Sequence, residues 1–156
     1  MPQQILRSLT MLTLVVGLTL VTAVVSANAQ SARVSTARIP FEFNVGDKAL
    51  PAGQYLVKTI TESGEAVMIS NDNGGSVRLT HSIRSSKTPA RGKLVFHRYG
   101  DTYYLSEVWN KGEMTGRQLF RSKQERNIER QLARTNSHSE LAQNSFEIVE
   151  IMTGLN

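Results

Sequence analysis

The sequence predicts an all-β domain: an antiparallel meander of about seven to eight strands, closed as a small barrel or folded as a sandwich, followed by an amphipathic basic helix. Three observations carry this. Short segments of period-two apolar alternation recur at roughly ten-residue spacing. Turn-forming residues separate them, among them Gly46-Asp47, Pro51-Ala52-Gly53, Asn71-Asp72-Asn73-Gly74-Gly75, Gly100-Asp101 and Lys111-Gly112-Glu113. Past residue 121 the period changes to that of a helix. Nearly every connection between strands is short enough to join neighbours, which favours the barrel.

Taken in order, residues 30–38 are polar and small and read as a flexible lead-in to a β-domain over 39–121. Ile39, Phe41, Phe43 and Val45 alternate with polar residues as a half-buried first strand. Residues 54–60 form a second strand, with Tyr55 and Val57 on one face, and 66–70 a third. The Asn/Gly run at 71–75 makes a hairpin with a fourth strand at 76–83, because Asn and Gly tolerate left-handed geometry. The clearest hairpin joins 93–99 to 102–110. A two-residue turn at Gly100-Asp101 sets Tyr99 opposite Thr102, Arg98 opposite Tyr103, His97 opposite Tyr104 and Phe96 opposite Leu105. Leu94, Phe96 and Leu105 then share one face, and Val95, His97, Tyr99, Tyr104 and Val108 the other. With both faces partly apolar, this hairpin belongs in the middle of the sheet. A further strand covers 115–120. Ser122 with Glu125 is a capping-box pair opening a helix over 122–135, whose Ile128 and Leu132 make a thin apolar stripe. Residues 136–156 form a polar tail ending in an alternating segment, 145–152, that either adds a last strand or hangs free.

The chain opens with an export pattern. Residues 1–29 carry one charge, Arg7, then an apolar run over 9–25, then Ala27-Asn28-Ala29, after which a signal peptidase cuts. The expectation is a secreted or periplasmic protein beginning at Gln30. The alternative is an uncleaved anchor, since a run of 17 residues just suffices to span a thin bilayer. Thr10, Thr13, Gly17, Thr19 and Thr22 weaken that alternative, as do Arg33 and Arg38 just beyond the run. The chain has no cysteine, which removes disulfides, thiolate metal sites, a cysteine nucleophile and a lipid-modified N-terminus. The mature chain carries 17 basic against 13 acidic side chains, a net of +4 once Arg7 is lost from the 18 against 13 of the full chain. Outside the cytosol such an excess points to an anionic envelope surface or polymer; no nucleic acid is expected, and no membrane span remains after cleavage.

Candidate chemistry is sparse. None of His81, His97 and His138 has a metal-ligand partner at helical or strand spacing, and a hydrogen-bonded packing histidine is the expectation for His97. Asn71-Asp72-Asn73-Gly74 lacks the spaced acids and distal glutamate of a calcium loop. No G-x-S-x-G elbow is present, and Glu107 reads as a structural partner of Arg98. No catalytic residue, cofactor or metal site is assigned. Trp109 reads as core. Two basic groups remain. One is the loop carrying Arg84, Lys87, Arg91 and Lys93, with Arg78 nearby. The other is Arg117, Arg121, Lys123 and the helical stripe Arg126, Arg130 and Arg134. The anion-binding candidates are Arg84, Lys87, Arg91, Arg126, Arg130 and Arg134, able to grip phosphate or carboxylate.

Two blocks carry a resemblance: IPFEFNVGDKALPAGQY at 39–55 and LVFHRYGDTYYLSEVW at 94–109. They are similar to a group of small exported β-rich proteins of soil bacteria, notably acidobacteria, in which a signal peptide precedes these blocks and a basic helical tail follows. The resemblance spans most of the mature chain and implies export. It brings no activity and no catalytic residue with it. The expected function is therefore a non-enzymatic exported β-domain with a binding or structural role in the cell envelope. The first alternative is a lipocalin-like carrier of a small apolar ligand in a cavity lined by Phe41, Phe43, Phe96 and Tyr104. The second is a hydrolase with an unrecognised site.

Overall fold

The computed structural model describes residues 34–60, 65–135 and 146–155, all within one compact unit, Ala32–Asn156. Residues 1–29, expected to be an export signal, His138 and residues 136–145 of the tail lie outside the described residues. Ten strands and one helix follow in the order β1 (Val34–Ile39), β2 (Phe43–Val45), β3 (Lys48–Leu50), β4 (Gly53–Thr59), β5 (Ala66–Asn71), β6 (Gly74–Arg84), β7 (Gly92–Tyr99), β8 (Thr102–Trp109), β9 (Thr115–Leu119), α1 (Lys123–Thr135) and β10 (Glu147–Leu155).

Eight of the strands close an antiparallel barrel, each hydrogen-bonded to the next in the order β1-β4-β5-β6-β9-β8-β7-β10 and back to β1. The barrel and not the sandwich is the closed form, because β9 pairs on one edge with β6 and on the other with β8. The chain meanders through β4-β5-β6 and again through β7-β8-β9. Between these runs, β6 passes over to β7 without pairing with it, so β9 becomes the neighbour of β6.

The first strand starts earlier than the sequence pattern suggests. Residues 34–38 are part of β1 and not a lead-in, and the alternating run 39–45 is split between β1 and β2. Ser35, Ala37 and Ile39 face inward and are buried. Two of those three are small, so the period carries little hydrophobic signal. The segment is held by its pairing with β4, from Val34↔Lys58 to Ile39↔Gly53.

After Ile39 the chain crosses one end of the barrel. Phe41 stacks on Tyr103 at 3.9 Å and meets Phe96 edge-on at 5.3 Å. The β2–β3 hairpin, turning at Gly46-Asp47, then covers that end. It touches β8 through Asn44↔Tyr104 and is tied to β6 by Arg78 Nε donating to the Val45 carbonyl at 3.0 Å and Lys48 Nζ to that of Gly75 at 2.6 Å. Phe43, Val45 and Leu50 of this hairpin are buried with Ile39, Tyr55, Val57, Val67, Ile69, Leu94, Phe96, Leu105, Val108 and Leu119 as one core. Burying each large side chain there is worth ~1.5–3 kcal/mol.

The β7–β8 hairpin has the expected register from Tyr99↔Thr102 to Phe96↔Leu105. Beyond it a bulge shifts the ladder, so that Val95 faces Glu107 and Leu94 faces Val108. Val108 therefore joins the inner face of Leu94 and Phe96, not the outer face with His97 and Tyr104. The β5–β6 turn holds Asp72-Asn73 between the pair Asn71↔Gly74, and only Gly74 takes a positive φ, +130°.

The outer faces of β7 and β8 are covered, as their apolar composition requires, by α1 and Phe146. Ser122 Oγ accepts from the Glu125 amide at 3.0 Å and caps the helix. Ser122 and Glu125 are buried, Ile128, Glu129 and Leu132 half-buried, and Lys123, Arg126, Arg130 and Arg134 exposed. The alternating tail segment is β10, which seats Val149 and Ile151 against the core. Among the described residues no helix is long and apolar enough to cross a membrane.

Candidate functional site

The four side chains expected to line a ligand cavity do not converge. Phe41, Phe43 and Phe96 meet inside the barrel: Phe43 lies edge-on to Phe96 at 5.5 Å and to Tyr55 at 5.2 Å. These rings pack edge-on against one another, the arrangement aromatic pairs prefer. The Tyr55 hydroxyl donates to the Pro51 carbonyl at 2.7 Å, and burial holds that phenol above its ordinary value. Tyr104 lies on the other side of the wall, under α1.

Beneath α1 a buried polar cluster joins helix to barrel. His97 Nδ1 and Glu125 Oε1 are 3.1 Å apart, both side chains 6% exposed. The Phe146 ring stacks on the imidazole at 3.9 Å. Tyr99 donates to Glu129 at 2.6 Å and reaches Glu125 at 3.3 Å. Arg121 pairs with Glu129 at 2.6 Å and lies over the Phe146 ring at 5.7 Å. Burial first, then the Glu129 hydrogen bond and the charges of Glu125 and Glu129, push the Tyr99 phenol well above its usual value. Tyr104 is pushed up chiefly by burial, then by Glu125 and Asp47, and its hydroxyl makes no hydrogen bond among the described residues. The arrangement orients one imidazole through a carboxylate, which is half of an acid–base relay. What the cluster does structurally is plain: Glu125 and Glu129, one turn apart on the inner face of α1, fasten the helix to β7. Among the described residues no group of three His, Cys, Asp or Glu side chains is placed to hold a metal ion.

Glu107 does not pair with Arg98, because the two side chains face opposite sides of the wall. Glu107 accepts from Trp109 Nε1 at 2.7 Å, and Arg98 pairs with Glu147 at 3.1 Å. Trp109 is buried, as expected, though on the outer layer and not inside the barrel. Its ring lies on Gly116, where an added Cβ would sit 2.6 Å from the indole. His81 is exposed, bonded to Gln118 at 2.8 Å and beside the Phe120 ring.

The basic residues fall into two separate places. At the end of the barrel away from the β2–β3 hairpin, β6 pairs with β9 through Ser82↔Arg117 and Arg84↔Thr115. Arg84 and Arg117 continue the inward-facing row of Thr80 and Leu119, so they project from one side of the sheet on adjacent strands. Diagonal neighbours of this kind stand roughly 7 Å apart. Arg117 Nη1 donates to Ser82 Oγ at 2.6 Å. Residues 85–91 leave this end, pinned by Ser85 N to the Met114 carbonyl at 2.8 Å and by Gly112 N to the Pro89 carbonyl at 3.0 Å. Lys87 and Arg91 are exposed on that loop. Among the described residues no ion pair neutralises Arg84, Lys87, Arg91 or Arg117. Lys93 and Arg78 are not part of the group: Lys93 pairs with Glu150 at 2.5 Å, and Arg78 holds β2.

The helical stripe starts at the opposite end, near the β7–β8 turn. Arg126 Nη1 donates to the Arg121 carbonyl at 2.6 Å, Arg130 Nε to the Arg126 carbonyl at 3.3 Å, and Arg130 Nη2 to Asn127 Oδ1. These guanidinium groups are partly spent on their own helix. The candidates of the sequence are thus split, Arg84, Lys87 and Arg91 at one end and Arg126, Arg130 and Arg134 on α1. Arg117, grouped by sequence with the helix, belongs with Arg84. Only the β6–β9 pairing reveals this, and those strands are more than 30 residues apart along the chain. No family model, curated protein or solved structure matches the chain.

Proposed function

We propose that this protein is an exported, non-enzymatic β-barrel of the bacterial cell envelope that binds an anionic polymer at the basic end of its barrel. The observation that carries the reading is the placement of Arg84 and Arg117 on adjacent strands, with no ion pair to either among the described residues and with Lys87 and Arg91 on the loop beside them. Like charges on diagonal positions of adjacent strands repel each other by up to roughly 1 kcal/mol at a wet surface, and a phosphate or carboxylate bound between them relieves the repulsion. Export rests on the leader at 1–29 and on the resemblance to small exported proteins of soil bacteria. The contact of Phe41, Phe43 and Phe96 argues against an apolar cargo. The stacking of Phe146 on a buried His97 argues against a hydrolytic role for that histidine.

Retention on immobilised polyphosphate and polygalacturonate, measured across a salt gradient, tests this. The wild type is expected to bind at low salt and to elute as screening rises. Arg84→Glu with Lys87→Glu and Arg91→Glu weakens binding roughly tenfold, the sum of three surface charges worth ~0.2–1 kcal/mol each. Arg126→Glu with Arg130→Glu changes it much less. Equal retention of the triple variant and the wild type contradicts the proposal.

A further inference from the structure

The five asparagines among the described residues are not alike. Asn44 Nδ2 donates to the Tyr103 carbonyl at 3.4 Å, and Asn110 Nδ2 to Glu113 at 3.0 Å. Asn127 Oδ1 accepts from Arg130 Nη2, and Asn71 Oδ1 accepts from the Asn73 backbone amide at 3.0 Å. The Asn73 side chain makes no hydrogen bond among the described residues. It is also exposed, as are Asp72 and Gly74 on either side of it.

Asparagine is among the heat-labile side chains of proteins, and its chemistry depends on the residue that follows. Of the five, Asn73 alone precedes a glycine; the others precede Val45, Asp72, Lys111 and Ile128. A glycine has no Cβ to keep the preceding side chain away from its amide nitrogen. Gly74 takes φ +130°, and a Cβ built on it would meet no atom within 4 Å, so the space around this peptide bond is open. Gly74 stands at the very end of the β5–β6 ladder, paired with Asn71. End pairs open at little free-energy cost, which releases the Gly74 amide.

We propose that Asn73 is a site of self-modification, at which the folded chain converts a side-chain amide to a carboxylate without an enzyme. The Gly74 nitrogen gives up its proton and bonds to Asn73 Cγ, the Cγ–Nδ2 bond breaks, and ammonia leaves with that proton. The five-membered imide so formed takes up one water. Attack at Cγ yields an ordinary peptide link with an aspartate side chain. Attack at the Asn73 main-chain carbonyl carbon yields a link through the side chain, with one more main-chain atom in the turn. Water is the only co-reactant, and nothing is oxidised or reduced. Each event turns a neutral side chain into an anion, so the net charge falls by one. The longer product stretches the turn between Asn71 and Gly74, next to the Gly75 carbonyl that accepts from Lys48 Nζ at 2.6 Å. This turn lies at the β2–β3 end of the barrel, so the modification is independent of the anion site on β6, β9 and the loop after β6.

The test is ageing of the folded, mature protein at neutral and at mildly alkaline pH in heavy-oxygen water, followed by peptide mapping. Cleavage after Lys58 and Arg78 isolates residues 59–78, with Asn71 and Asn73 the asparagines in that segment. The expected result is an amide-to-acid mass gain at Asn73 ahead of Asn44, Asn71, Asn110 and Asn127, faster at the higher pH because the attacking nitrogen must lose its proton. One heavy oxygen is taken up, and both linkages are present. Asn73→Gln, whose longer side chain would have to close a six-membered ring, loses the conversion in this segment; an unchanged thermal melt shows that the variant is folded. Any of three results overturns the proposal. The first is an intact Asn73 in the folded protein, including the case in which it converts only in denaturant. The second is conversion at Asn44, Asn71, Asn110 or Asn127 ahead of Asn73. The third is conversion within 59–78 that persists in Asn73→Gln.

Discussion

Two residues show how narrowly the outer layer is built. Trp109 lies flat on Gly116, and the indole nitrogen is held by Glu107. Gly116→Val would force the ring off the sheet, and overpacking of this kind costs ~1–3 kcal/mol. A fall in Tm with a red-shifted fluorescence of the single tryptophan is the expected signature; an unchanged spectrum would show that the ring has room. Tyr99 and Tyr104 give the layer a pH limit. Both phenols are held above the ordinary value of 10.0, by burial first, so folding favours their neutral forms. Their contribution is fully present below pH 10 and is lost as pH climbs above it. Tyr99→Phe is expected to reduce the alkaline loss of stability in melts recorded between about pH 9 and 11, and an identical alkaline loss in wild type and variant would contradict the assignment. At this scale the sequence was legible while local geometry stayed regular. Counting back from Gly100-Asp101 placed His97 opposite Tyr104 correctly, and failed at Val108 because one bulge turns the rest of β8 over.

Among the elements, α1 is the one whose stability is borrowed. Its apolar stripe is limited to Ile128 and Leu132, and the remaining inward positions are Glu125 and Glu129, bonded to His97, Tyr99 and Arg121. Helices of this length are marginal alone, so the cluster and the Ser122 cap decide whether α1 forms. Ser122→Ala is expected to lower stability by ~1 kcal/mol. Glu125→Ala leaves the buried His97 without its partner and exposes Tyr99 and Tyr104 as the helix loosens. Hydrogen exchange should then quicken over α1 while β4–β5 remain protected; uniform quickening across the barrel would mean that the helix is not a separable layer. The capping box made α1 readable in sequence. The inward turn of its glutamates was not, because acidic residues at helical spacing ordinarily mark a solvated face. The start of β1 is hidden in the sequence for the opposite reason: Ser35 and Ala37 are inward but small, and β4 holds the strand's backbone.

Over the whole molecule, local turns dictate hairpins and long-range pairing dictates the site. The β2–β3, β5–β6, β7–β8 and β8–β9 connections follow from turn residues visible in the sequence. The pairing of β6 with β9 does not, since β7 and β8 lie between them in the chain, and it is this pairing that sets Arg84 beside Arg117. The same topology leaves α1 and the basic loop at different ends, so a basic surface that looked like one property of the chain is two. Aromatic rings pack against one another inside the barrel and polar bonds fasten the outer layer, and the proposal made for this barrel is that it acts through the basic end of its surface.

The most direct test of that claim is a titration of isotope-labelled protein with short polyphosphate, followed by amide chemical shifts. The account predicts shifts confined to residues 82–93 and 115–117, reversed by added salt. Shifts centred on Phe41, Phe43 and Phe96, or on Arg126, Arg130 and Arg134 with the barrel end silent, would contradict it.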